Sequence, residues 1–217
     1  PLRRQRQMCI RDRADGVLAL LMLCHGNRVG ETRKAQWPHI ALGNRTWYLP
    51  LENTKTRAEH SLPVTEQVGA LLTWYREQQA AQGYTGVFLF PGRSGQCISE
   101  KQAATAFTRM GKGNWTSHDL RKLARGCWAD HGIDFLIGEL LINHAMGGNV
   151  QAYIQTTVEQ RKREALEQWH AFLDSKGFAA IHGWKEGRNA DSGNGPEGSE
   201  QSGSDDIQET TIGEDSK

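Results

Sequence analysis

Residues 117–153 read SHDLRKLARGCWADHGIDFLIGELLINHAMGGNVQAY. His118 and Arg121 stand at i and i+3, so a helix places them on one face. His144 follows 23 positions after Arg121, and Tyr153 stands nine positions further on. A phosphodiester presents one negative charge to neutralise, a phosphorus to attack and an oxygen to expel. The basic residues of this stretch can clamp the charge, and the tyrosine can attack.

The 217 residues suffice for one sizeable core in one or two domains. The most apolar run, residues 17–24, is far too short to span a bilayer, and no membrane segment or signal peptide is visible. Cys9, Cys24, Cys97 and Cys127 form no C-x-x-C pair, so neither a zinc ribbon nor a disulfide framework is indicated. Cys127 and His131 lie at i and i+4 but have no further ligand nearby in sequence to complete a metal site. A soluble intracellular protein with reduced thiols is expected. The net charge of +1 hides an asymmetry: from position 186 onward nine acids face two bases, a net of −7, which leaves +8 on residues 1–185. A basic body suits a polyanionic partner.

Residues 1–13, PLRRQRQMCIRDR, lack apolar periodicity and are expected to be irregular. The run QMCIRDR looks like a translated adapter remnant, which predicts a fragment missing its N-terminal part; the other reading is a frayed basic arm. Asp15 is the expected cap of a helix carrying Val17, Leu18, Leu20, Leu21 and Leu23 and stopping at Gly26. Arg28 and Glu31 follow that stop, as an exposed turn or a held pair. Three short strands are read in HIALG, RTWYLP and HSLPVT, forming a small antiparallel sheet with Lys55 on the turn between the last two. Thr65 caps a helix over 66–79, Ser99 caps one over 100–110, and Ser117 caps the helix of His118. Residues 83–91 read as extended, a further helix is expected over 134–143, and residues 157–173 form an amphipathic helix. Beyond position 183 the Gly-, Ser- and acid-rich tail is expected to be disordered.

Five motifs now stand in order: G-x-R-x-G-E at 26–31, the turn lysine in NTKTR, H-D-L-R at 118–121, N-H-A at 143–145 and A-Y at 152–153. Each is weak alone. Their joint order and spacing resemble the tyrosine recombinase (phage integrase) family, and specifically its catalytic domain, over about residues 14–173. The long helix following Tyr153 is similar to that of integrases from P4-like prophages and integrative islands. The resemblance implies an α+β, mainly helical, DNA breaking-rejoining fold with a small three-stranded antiparallel sheet. It also implies a catalytic domain over 14–183, flanked by the segment 1–13 and the tail 184–217.

The resemblance further assigns roles. Arg28 and Arg121 would clamp the scissile phosphate, since guanidinium forks match phosphate oxygens and stay charged. His118 and His144 would complete its hydrogen-bond shell, with His118 placed to handle the tyrosine proton. Lys55 would be the general acid for the departing 5′-oxygen, Tyr153 the nucleophile forming a 3′-phosphotyrosyl intermediate, and Glu31 a brace for the first arginine. No cofactor, metal ion or ATP is expected. The implied partner is double-stranded DNA, bound by a homotetramer when full length, with accessory DNA-bending proteins, in the bacterial cytoplasm and nucleoid. Asn143 departs from the family pattern, which more often has Gly before its His. The family's amino-terminal DNA-binding domains have no counterpart in these residues. Two other functions share the residue set: a type IB topoisomerase-like nicking and closing activity, and a non-catalytic DNA-binding protein retaining the fold.

Overall fold

The computed structural model describes residues 2–144 and 157–183, with side chains from Arg13 onward. The chain divides into two units, Pro1–Lys185 and Glu186–Lys217. The second unit, and with it the expected disordered tail, lies outside the described residues.

The first unit is organised on α1 (Leu2–His25), against which α5 (Ser117–Asp130), α3 (Glu66–Ala80), α4 (Glu100–Gly111) and α7 (Val158–Ser175) all pack. Val17, Leu18, Leu21 and Met22 recur at helical spacing and are essentially inaccessible to water, which fixes the buried face of α1. This helix corrects two expectations. Residues 2–13 are helical rather than irregular, and Asp15 is an interior residue rather than a cap. The segment contains no Gly or Pro after Pro1 and is rich in Arg and Gln, so nothing in it stops a helix. The buried Asp15 instead forms an ion pair with the partly exposed Arg109 of α4.

The sheet is as expected: β1 (Ile40–Ala41), β2 (Thr46–Leu49) and β3 (His60–Pro63) run antiparallel in the order β1-β2-β3. Ile40 pairs with Trp47, Trp47 with Leu62 and Leu49 with His60. Alternation along β2 buries Trp47 and Leu49 and turns Thr46 and Tyr48 outward. Residues 83–91, read as extended, add no strand to the sheet. Their backbone makes only isolated bridges, Gln36 to Phe88 and Pro91 to Cys97. The apolar VFLF instead inserts Leu89 and Phe90 into the core, where Tyr75 Oη donates to the Leu89 carbonyl at 2.8 Å.

Helix starts follow their caps. Thr65 Oγ1 accepts from Val68 N, and Ser99 and Gln102 form a reciprocal capping box. For α5 the cap is Thr116, one residue earlier than expected, because Asp119 Oδ2 accepts from both Thr116 N and Thr116 Oγ1. Asp134 caps α6 (Phe135–Leu141) by accepting from Ile137 N at 3.1 Å.

The C-terminal helices α7 and α8 (Phe178–His182) are docked on their own chain. Leu166, Trp169 and His170 are fully buried. Trp169 Nε1 and His170 Nε2 donate to the carbonyls of Leu23 and Cys24 at the end of α1. Lys162, buried on the same helix, reaches the Ser61 carbonyl of β3 at 2.6 Å. The carbonyls that a helix end leaves without partners are thus taken by side chains 146 residues later in sequence.

Candidate active site

Gly26 ends α1 with φ +65°, and a Cβ there would come within 2.8 Å of Trp128 on α5. The glycine therefore allows both the left-handed stop and the close approach of α5. That approach brings Arg121 beneath the end of α1. Its Nη1 donates to the Gly26 carbonyl at 2.7 Å, and its Nη2 to the Ile142 carbonyl at 2.9 Å. Arg121 is only 7% exposed. Burial, and then the charge of Arg28, pull its pKa down to about 10, while Glu31 and Glu139 oppose this. It remains charged at neutral pH, held by the negative ends of two helices.

Arg28 is the residue before α2 (Val29–Thr32), and it is a held pair rather than a free turn. Glu31 Oε1 accepts from Arg28 Nη1 at 3.2 Å, and Oε2 accepts from Arg28 N at 3.1 Å. The same Oε1 accepts from the backbone N–H of Lys55 at 3.4 Å. Glu31 is 4% exposed, so one buried carboxylate ties the first arginine to the loop between β2 and β3. That loop is closed by Thr54 Oγ1, which lies 2.8 Å from the Ala58 carbonyl, and its Lys55 side chain is exposed.

Arg28, Glu31, Lys55, His118 and Arg121 line one cavity of about 770 Å³. Five cationic side chains face it against three carboxylates, of which Glu31 and Glu100 are already paired with Arg28 and Arg33. Asn27 on the same wall keeps a buried side-chain N–H₂ without a hydrogen-bond partner among the described residues.

His144 is not among the lining residues, but it is tied to them through the end of α6. Asn143 has φ +50°, with its N–H donating to the Leu140 carbonyl, while His144 N donates to the Glu139 carbonyl at 3.0 Å. This is a Schellman stop with Asn in the left-handed position. It explains the departure from the family pattern, since Asn is the side chain most readily accepted there. The Leu141 carbonyl is taken by His60 Nε2 at 3.0 Å, and that of Ile142 by Arg121. All four terminal carbonyls of α6 are thereby satisfied, and the backbone of His144 is fixed.

The reading of the sequence missed Glu139 and Arg125. Glu139 Oε1 accepts from Arg125 Nε at 2.8 Å, and Oε2 accepts from His144 Nδ1. Burial alone would push the Glu139 carboxyl up, but hydrogen bonds and charge from Arg125 and His144 outweigh it and hold the pKa low. A lone acid inside the apolar run FLIGELLI was the available signal. Tyr153 lies outside the described residues. His131 Nδ1 is occupied by the Cys127 carbonyl at 2.8 Å, and no cluster of metal-ligating side chains occurs among the described residues.

A small sheet packed against helices, with a basic cavity where α1, α2, α5 and the β2–β3 loop meet, is the catalytic fold of the tyrosine recombinases. The integrase of mycobacterium phage Brujita shares it with a TM-score of 0.56 at 20% identity, over 71% of this chain and 51% of that one. So does the XerH site-specific recombinase in its pre-cleavage complex with difH substrate, with a TM-score of 0.52 at 14% identity, over 68% and 44%. Residues 6–160 match the phage integrase family, and the chain belongs to that family. Among curated proteins it is similar to two prophage integrases of Escherichia coli K12. IntZ is 28% identical over 160 residues, 71% of this chain and 38% of the relative. IntA is 23% identical over 146 residues, 65% and 34%. The chain thus spans little more than a third of the length of these relatives. No helix among the described residues is long and apolar enough to cross a membrane.

Proposed function

We propose that residues 14–183 are the catalytic domain of a site-specific DNA recombinase that cleaves and rejoins strands through a 3′-phosphotyrosyl intermediate. The observation that carries this reading is the convergence of Arg28, Glu31, Lys55, His118 and Arg121 on one cavity, from helix ends and a loop far apart in sequence. Arg28 and Arg121 neutralise the charge that builds on the non-bridging oxygens as the phosphorus is attacked. Tyr153 Oη forms the bond to phosphorus and gives its proton to His118. The bond from phosphorus to the 5′-oxygen breaks, and Lys55 protonates that oxygen as it leaves. Glu31 holds Arg28 and the Lys55 loop in one arrangement, and His144 donates to the same phosphate.

Because the phosphotyrosyl bond conserves the energy of the phosphodiester, reversal with a different 5′-hydroxyl rejoins strands without ATP. Double-stranded DNA is the partner, a reading supported by the cationic cavity and by the solved recombinase complex of the same fold. Cutting and exchanging four strands calls for a homotetramer on DNA, with accessory DNA-bending proteins, in the bacterial cytoplasm and nucleoid.

The test is a nicked duplex that loses its 5′-hydroxyl fragment on cleavage, incubated with protein in EDTA and run on a denaturing gel. A covalent protein–DNA band is expected from the wild-type chain and not from Tyr153→Phe. The absence of the wild-type band, or its persistence in Tyr153→Phe, refutes the reading.

A further inference from the structure

Arg125, Glu139 and His144 form a line of contacts that none of the roles above uses. The Glu139 side chain is 11% exposed, and its two oxygens are divided between Arg125 Nε and His144 Nδ1. Arg125 is itself seated: its guanidinium lies 4.8 Å from the centre of the Phe135 ring, and a Cβ on Gly138 would come within 3.2 Å of it. His144, by contrast, is 59% exposed at the side chain. A half-exposed imidazole just past a helix end has several rotamers open to it. Here the Schellman stop fixes its backbone and Glu139 holds one nitrogen, while Nε2 has no hydrogen bond among the described residues.

A carboxylate that accepts from Nδ1–H also fixes which nitrogen points outward, so that in the doubly protonated ring Nε2–H is the donor presented to a phosphate oxygen. The link reaches the cavity through the backbone, because Ile142, two residues before His144, is held by Arg121. A carboxylate with no partner but His144 would itself be free to move; Arg125 removes that freedom.

We infer that Glu139, held by Arg125, is a positioning residue that fixes His144 through Nδ1 so that Nε2 faces the scissile phosphate. The inference rests on the recombinase reading above and adds two residues to its machinery. The rival account makes Arg125 and Glu139 a structural pair joining α5 to α6, and the two accounts predict different couplings.

The test is a double-mutant cycle on the full chain, reading the single-turnover rate of covalent adduct formation on the nicked duplex together with DNA affinity. Glu139→Gln is expected to slow the rate about ten- to a hundredfold, the range of a lost charge-assisted hydrogen bond, with affinity unchanged. In the His144→Ala background the same substitution is expected to have no further effect. Glu139→Asp, which keeps the charge, is expected to recover part of the rate; it also replaces Glu139→Gln in the cycle if that variant loses its near-ultraviolet circular dichroism. Losses that multiply across the cycle, or a wild-type rate in Glu139→Gln, overturn the inference and leave the recombinase reading standing.

A readout free of DNA separates the two failures. At a pH where the ring is neutral, nitrogen-15 spectra of His144 are expected to show Nδ1 protonated, and a mixture of tautomers in Glu139→Gln. A spectrum indifferent to Glu139→Gln overturns the inference, whatever the adduct assay shows.

Discussion

Arg121 and Gly26 are joined by a 2.7 Å hydrogen bond from the guanidinium to the last carbonyl of α1's stop, with a second bond from the same guanidinium to Ile142. One residue proposed to bind phosphate is therefore also a clip holding two helix ends together. Arg121→Lys keeps the charge but not the fork, and cannot make both carbonyl contacts while facing a phosphate. The expected outcome is loss of adduct formation with destabilisation of about 2–3 kcal/mol, the scale of one or two charge-assisted hydrogen bonds. Urea unfolding checks the stability, and unchanged stability would show that the carbonyl contacts contribute nothing.

Glu31 connects Arg28 to the backbone of Lys55. Lys55→Ala is expected to abolish cleavage of ordinary DNA and to spare cleavage of a substrate with sulfur at the 5′-bridging position, whose leaving group needs no proton. Equal loss on both substrates would remove Lys55 from the role of acid.

Asn143 sits in the left-handed region, and its buried side-chain N–H₂ has no hydrogen-bond partner among the described residues. Asn143→Gly removes the backbone strain and no hydrogen bond of that N–H₂, so its stability is expected within about 0.5 kcal/mol of the parent. Asn143→Val is expected to lose about 1–2 kcal/mol, since a β-branched residue tolerates that conformation poorly. Denaturant midpoints of the two variants decide the point.

Histidines shielded from water, His25 and His170 fully and His60 in part, make stability depend on pH. Burial pulls the pKa of His25 and His60 down to about 4 and that of His170 to about 3, against 6.5 when exposed. The folded state binds protons more weakly than the unfolded chain. Stability is therefore complete above about pH 6.5 and falls as pH drops from there toward 4 and 3. His170→Gln is expected to flatten part of that fall, which a series of thermal melts between pH 7 and 4 measures.

The sheet, the caps at Thr65 and Ser99 and the stop at Gly26 are legible in the sequence because each is a local event with a residue type suited to it. So is the meeting of Arg28, Lys55, His118 and Arg121, once their motifs are read together. What was not legible depends on tertiary contact. Residues 83–91 have strand composition but only single bridges to pair with. The segment before Asp15 has no apolar period, yet the helix continues back through it. Glu139 and Arg125 have meaning only through His144, and no sequence spacing announces a contact between two helices.

The proposed cleavage chemistry requires that one tyrosine carry the DNA. Trypsin places Tyr153 in a peptide of residues 126–161, where it is the only tyrosine. Mass spectrometry of the adduct digested with nuclease and trypsin measures the attachment directly. The account predicts a nucleotide on Tyr153; a nucleotide on any other side chain, or an unmodified 126–161 peptide from a purified adduct, would contradict it.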